Sequence, residues 1–132
     1  MMKAKMAKEA IVRISNRTGV LSQVTKRIAE KGINLEAVIA TVNGADAVIQ
    51  LVSSEHNRIM DALREQQWEA QEARVVLVEG DHRPGLLEII TEKLARENID
   101  VLYLYATAVN VDKCLVVLSS VNNEWAVMVL NS

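Results

Sequence analysis

The chain has 132 residues, half of them hydrophobic, and a formal net charge of −2 at pH 7. This length predicts one domain or two of minimal size, and the apolar content excludes a disordered chain. A nucleic-acid binder normally shows a basic stripe, whereas lysines cluster here only at Lys3, Lys5 and Lys8. Because no apolar run approaches the length of a membrane span, we expect a cytoplasmic protein.

Residues that carry enzyme or metal chemistry are scarce. The chain has one cysteine, Cys114, and two histidines, His56 and His82. No serine or cysteine pairs with a histidine in a catalytic motif, and no P-loop or zinc-binding spacing occurs. A small enzyme such as an acylphosphatase would need an anion-cradling loop with its own arginine, and fold analogy alone supports it poorly. We therefore expect no catalytic residue, no metal and no cofactor.

In chain order, the first half predicts a strand, a helix and a hairpin. Residues 9–15 are rich in β-branched side chains, and apolar residues recur at helical spacing over 20–28. Gly32 stands where a left-handed helix cap is expected. Two further strands are predicted at 34–42 and 45–53.

The predicted hairpin turns at Asn43-Gly44, a strong signal for a two-residue turn. Ser54 is expected to cap a second helix. Residues 68–78 then supply the closing strand of the first half and the opening strand of the second. They form either one long, bent strand or two short ones.

The second half repeats this order. Strands are predicted at 75–79, 100–109 and 112–119, with a helix from Gly85 to about Glu97 and another opening near Ser120. Its closing strand is absent, so the opening strand at 75–79 is expected to be an unpaired apolar edge.

An internal duplication underlies the repeated order. Shifting the sequence by 66 positions aligns residues 17–63 with residues 83–129 without a gap, and gives a domain boundary between 1–73 and 74–132. The identical pairs are Arg17/Arg83, Gly19/Gly85, Leu21/Leu87, Thr25/Thr91, Ala29/Ala95, Ile33/Ile99, Ala40/Ala106, Thr41/Thr107, Asp46/Asp112, Ser53/Ser119 and Ser54/Ser120.

A βαββαβ order predicts an antiparallel four-stranded sheet with both helices on one face. In residues 101–106 and 114–118 both alternating sets of strand positions are apolar, so the face of the sheet opposite the helices must also be covered. Either oligomerisation or the folding of one copy over the other would cover it.

The segments NRTGVLSQVTKRIAEKGIN (16–34) and HRPGLLEIITEKLARENID (82–100) resemble the ACT-domain signature. The family shows a strand, then Asp/Asn-Arg-Pro-Gly-x-Leu, a helix, and Gly-Ile-Asn opening the next strand. The resemblance covers essentially the whole chain, once in each half. The tandem arrangement is similar to that of small stand-alone double-ACT proteins. It implies an α+β, ferredoxin-like fold of two βαββαβ ACT repeats, the second without its last strand.

The resemblance also implies a ligand site. Effector amino acids of the family lie between two modules, held by the turn of one and the second strand of its neighbour. A glycine turn and the positive start of a helix suit a carboxylate. The ligand-binding residues expected on this basis are Asn16, Thr18, Gly19, Val20, Leu21, Asn34, His82, Gly85, Leu86, Leu87 and Asp100. Asn16 would pair with Asp100, and His82 with Asn34.

Simpler interpretations stand beside these assignments. Gly19 and Gly85 would also serve a purely structural turn, and Asn16 would also serve as a helix cap. His82 would also be an ordinary loop residue, and Asp100 a solvated carboxylate. Family positions are altered too, because Thr18 replaces a proline and copy two carries His82 and Asp100 in place of asparagines.

We expect a sensor of a free amino acid that regulates a separate enzyme or pathway and is not an enzyme itself. The alternative is an ACT pair without a ligand that serves only in assembly. A homodimer is expected in either case, with Leu102, Tyr103, Leu104 and Tyr105 as candidate interface residues.

Overall fold

A computed structural model describes residues 2–132, which form six strands and four helices. The strands are β1 (Lys3–Ser15), β2 (Ala37–Asn43), β3 (Asp46–Val52), β4 (Glu69–Asp81), β5 (Val101–Ala108) and β6 (Lys113–Ser120). The helices are α1 (Val20–Glu30), α2 (His56–Glu65), α3 (Leu86–Arg96) and α4 (Asn123–Asn131). The predicted α+β fold of two ferredoxin-like repeats is confirmed.

Two compact units divide the chain, and only one of them is continuous in sequence. Residues 8–73 form what we call the first unit, whereas residues 2–7 and 74–132 together form the second unit. The division falls inside β1 and β4, so each of these long strands belongs to both units. Residues 69–78 thus belong to one long strand rather than two short ones, and Trp68 lies just before it.

The first unit is a complete βαββαβ module. Its strands lie in the order β2-β3-β1-β4, with β3 antiparallel to both β1 and β2. Its helices have apolar stripes that pack on one face of this sheet. The core is formed by Ala10, Val12, Val24, Ile28, Ile33, Ile49, Leu51, Ile59, Met60 and Leu63.

The second unit completes its sheet with the start of the chain. Its strands lie in the order β5-β6-β4-β1, so residues 3–7 occupy the position that a closing strand would take. Ala4 is 5% exposed and belongs to the same core as Val76, Val78 and Leu130. The expectation of an unpaired edge at 75–79 is therefore wrong, because β4 has a neighbour on each side.

Two hydrogen bonds join the end of α4 to the strand formed by residues 3–7. The Asn131 side chain accepts a hydrogen bond from the Ala4 N–H (2.8 Å) and donates one to the Ala4 carbonyl (2.9 Å). A side-chain amide thus satisfies both backbone groups of Ala4, as a neighbouring strand would.

The duplication contains a one-residue insertion, so the expectation of a gapless repeat is wrong. The first hairpin pairs Val38 with Leu51, whereas the second pairs Leu104 with Leu118. The offset between equivalent residues is therefore 66 in the second strands and 67 in the third. The extra residue lies in the longer β5–β6 loop. Buried residues after this point correspond at the new offset, with Ile59, Ala62 and Leu63 matching Ala126, Val129 and Leu130.

Two local predictions are wrong. Asn43 pairs with Asp46, so the first hairpin turns at Gly44-Ala45, with Gly44 at φ 63°, rather than at Asn43-Gly44. Ser54 does not cap α2, because Glu55 occupies the N-cap position and no side chain within residues 2–132 caps this helix; the Ser53 hydroxyl accepts a hydrogen bond from the Glu55 N–H (3.0 Å). Gly32 does take the left-handed conformation expected of it, at φ 68°.

Both faces of the second unit's inner strands are buried. Val76, Val78, Val116 and Leu118 pack with the helices, and strand alternation places Val75, Leu77, Leu115 and Val117 on the opposite face. These last four side chains are at most 7% exposed in a single chain. The apolar second face therefore does not by itself require a second copy.

Candidate functional site

Each unit has a glycine turn between its opening strand and its first helix. Gly19 (φ 88°) precedes α1 and Gly85 (φ 98°) precedes α3. An L-residue is strained in this left-handed region, so the backbone angle is sufficient reason for glycine at both positions. A Cβ at either glycine would meet no atom within 4 Å, which leaves the turn open on its outer side.

The helix starts that follow these turns are uncapped. Neither α1 nor α3 has a side chain bonded to its first turn. The N–H groups of Leu21 and Ser22, and those of Leu87 and Glu88, have no acceptor within residues 2–132. Free N–H groups at the positive end of a helix favour an anionic group such as a carboxylate.

A groove opens beside the turn in the first unit and encloses about 310 Å³. Its walls come from the turn, the second half of β2 and the start of β3. The lining residues are Asn16, Arg17, Gly19, Val20, Leu21, Ser22, Ala40, Thr41, Val42, Ala47 and Ile49.

An equivalent groove in the second unit encloses about 620 Å³. It lies between the turn, the second half of β5 and the start of β6. The lining residues are His82, Arg83, Pro84, Gly85, Leu86, Leu87, Glu88, Ala106, Thr107, Ala108 and Cys114. Below we call the two cavities the first groove and the second groove.

A sequence model of the ACT domain pair matches residues 6–132, nearly the whole chain. The chain belongs to the ACT domain pair family. No curated protein sequence matches it significantly.

Solved structures share the fold of this ACT pair. Protein BT0572 from Bacteroides thetaiotaomicron has a TM-score of 0.89 at 26% identity, over 97% of this chain and 88% of that one. The ligand-free regulatory subunit of aspartate kinase from Thermus thermophilus has a TM-score of 0.69 at 16% identity, over 99% and 95%. The regulatory subunit from Thermus flavus gives 0.63 at 15% identity, over 99% and 94%.

The grooves of the ACT pair bring together most of the turn residues predicted from sequence. Asn16, Gly19, Val20 and Leu21 line the first groove, whereas Thr18 is exposed and does not line it. In the second groove the predicted residues His82, Gly85, Leu86 and Leu87 all take part in the lining.

Asn16 is not a helix cap. Gly19 occupies the position before α1, and the Asn16 side chain makes no hydrogen bond within residues 2–132. The Asn16 backbone N–H donates to the Ala45 carbonyl (2.8 Å), as the His82 N–H does to Asp112 (2.8 Å). These bonds hold the turn against the hairpin and leave the Asn16 amide in the groove.

Asn34 and Asp100 lie outside the grooves of their own units. Each precedes the second strand, at the end opposite the groove. The Asn34 carbonyl accepts from the Ser53 hydroxyl (2.7 Å), and the Asp100 carbonyl from the Val121 N–H (3.1 Å). Both side chains are exposed, so their role in ligand contact stays a prediction that requires a neighbouring module.

Sequence reasoning missed the strand walls of both grooves. Ala40-Thr41 and Ala106-Thr107 are identical pairs in the duplication, and that identity was an available signal. The arginines of the motif, Arg17 and Arg83, are exposed. Arg17 donates to Gln23 (3.1 Å), and Arg83 lies 3.4 Å from the Asp81 carboxylate.

No cluster of three His, Cys, Asp or Glu side chains that could hold a metal ion occurs in residues 2–132. None of the helices described is long and apolar enough to cross a membrane.

Proposed function

We propose that this ACT pair is a regulatory protein that binds a free amino acid and acts on a separate enzyme or pathway, without catalytic activity of its own. The observation that carries the proposal is the repeated groove, with its uncapped helix start beside apolar walls. An amino acid needs donors for its carboxylate and a pocket for its side chain, and both grooves offer the two together.

The remaining contacts proposed come from the second strand of a neighbouring module. Asn34 and Asp100 are exposed and would supply acceptors for the ligand ammonium. Asn34→Ala or Asp100→Ala should weaken binding by about 1–3 kcal/mol if a buried polar partner is left unpaired. Asn57→Ala, at an exposed position on α2, is the matched control. Unchanged affinity in both variants would remove these residues from the site.

A thermal-shift screen over the twenty amino acids tests the function. A ligand present at a hundred times its dissociation constant stabilises the folded state by about 2.7 kcal/mol. We expect one amino acid, or a few of related chemistry, to raise the melting temperature. A flat response to all twenty would favour the alternative, an ACT pair that serves only in assembly.

We also propose a homodimer, which either function would use. Strand β5 is the outer strand of the second unit, and Leu102 on it is 60% exposed. Tyr103, Leu104 and Tyr105 are half-buried, which leaves Leu102 as the most accessible of the four candidate interface residues. Light scattering at micromolar concentration should give twice the chain mass, and Leu102→Lys should reduce it. A soluble monomer would contradict this part of the proposal.

A further inference from the structure

The two grooves differ in size although equivalent elements build them. The second groove encloses about 620 Å³ and the first about 310 Å³. Three residue differences between the repeats accompany it, two beneath the turn and one on the strand wall.

Beneath the turn, the repeats exchange a large and a small residue. The first unit has Ile14 on its opening strand and Val20 at its helix start, whereas the second has Gly80 and Leu86. A Cβ on Gly80 would lie 2.6 Å from the Leu86 Cδ1, so the Leu86 side chain occupies the space above the glycine. Leu86 is half-buried over this glycine, whereas Val20, at the equivalent position of the first unit, is 4% exposed.

On the strand wall, Ala108 of the second groove takes the place of Val42 in the first. Val42 is 62% exposed, so its two extra carbons stand in the mouth of the first groove. Ala108 pairs with Cys114 across the hairpin, and both line the second groove.

The lining of the second groove is mostly apolar. Leu86, Leu87, Ala106, Ala108 and Cys114 supply its aliphatic and thiol surface. Its charged lining residues, Arg83 and Glu88, are exposed, and Arg83 is already close to the Asp81 carboxylate (3.4 Å). A charged side chain placed against the apolar part of this lining would lose hydration, which is unfavourable.

Resting on the proposed amino-acid binding, we propose that the second groove is the selective site and takes an amino acid with a large, uncharged, apolar side chain. The first groove has about half the volume of the second and offers less room for the same ligand. The ACT pair is then a sensor with two unlike sites, and the residues at 80, 86 and 108 set the size of the side chain that the second site accepts.

The cysteine gives a direct readout of which groove is filled. Cys114 is the only cysteine of the chain and lines the second groove alone. Its reaction with a small thiol reagent, followed by mass spectrometry, should slow when leucine, isoleucine, methionine or phenylalanine is bound. Aspartate and lysine at the same concentration should not slow it.

Matched Ala→Val variants test the size selection. Ala108→Val gives the second groove the wall residue of the first and should weaken binding of the large apolar amino acid by about 10- to 100-fold. Ala45→Val makes the same change at an exposed turn position that lines neither groove, and it is the matched control with unchanged affinity for the same ligand. Both positions are exposed, so the fold should stay intact.

The outcomes separate this inference from the function on which it rests. Thermal stabilisation by an apolar amino acid, with Cys114 protection and weakening in Ala108→Val only, supports both. Stabilisation without Cys114 protection, or by charged amino acids alone, keeps amino-acid binding and overturns the selective site. No stabilisation by any amino acid overturns both.

Discussion

Replacing Asn131 should loosen the strand that the start of the chain contributes to the second unit. The Asn131 amide makes two hydrogen bonds to the backbone of Ala4, at 2.8 and 2.9 Å. Each such bond contributes about 0.5–1.5 kcal/mol, so Asn131→Ala should lower the free energy of unfolding by about 1–3 kcal/mol. Ala4 is 5% exposed, which limits replacement of the lost bonds by water.

Two measurements check this expectation. Urea denaturation of the variant should show a lower midpoint, and amide exchange followed by mass spectrometry should be faster in residues 3–7 than in the wild type. Arg64→Ala is the matched control, because Arg64 is exposed at the equivalent position of α2. If the midpoint and the exchange rate of residues 3–7 are both unchanged in Asn131→Ala, the side chain does not hold the strand.

Three further predictions concern packing, backbone angle and charge. Gly80→Ala should destabilise the protein by about 1 kcal/mol in chemical denaturation, because overpacking against Leu86 outweighs the stability gained by replacing a glycine in a strand. Adding Leu86→Val should restore most of the lost stability. If the effects of the two substitutions simply add, the two side chains are not in contact. Gly85→Ala should cost about 1–2 kcal/mol from its φ of 98° alone, as judged by the same midpoint, whereas an unchanged midpoint would show that the turn can relax. The hydrogen bond from His56, with the nearby Lys8, holds the pKa of Glu72 below its ordinary value of 4.5. This carboxylate therefore stabilises the fold above pH 4.5 and loses that effect as the pH falls through the folded-state pKa. The urea midpoint of Glu72→Gln should fall less steeply over that pH window than the wild-type midpoint, and parallel curves would argue against the interaction.

The sequence predicted the features that depend on local chemistry. Glycine at 19 and 85, followed by apolar residues at helical spacing, located both turns and both first helices. The duplication then predicted equivalent modules, and the structure confirms their fold. These signals are strong because a left-handed angle and an amphipathic helix each restrict the residues that can occupy a position.

What the sequence did not predict depends on distant partners. Residues 3–6 alternate lysine with alanine and methionine, which is a strand pattern, but the place of residues 3–7 beside β4 is set by contacts with the other end of the chain. The one-residue insertion in the second hairpin was hidden by chance identities such as Ser53/Ser119. The close approach of Leu86 to Gly80 likewise depends on packing that the sequence does not show.

The discontinuous second unit has a consequence for the order of folding. Residues 8–73 contain every strand and helix of the first unit and emerge from the ribosome as one uninterrupted segment. The second unit must join residues 4 and 131, which are 127 positions apart, and closing so long a loop slows folding. We therefore expect the first unit to fold during synthesis. Residues 3–7, which continue the part of β1 that belongs to the first unit, then join the second unit only after α4 has been made.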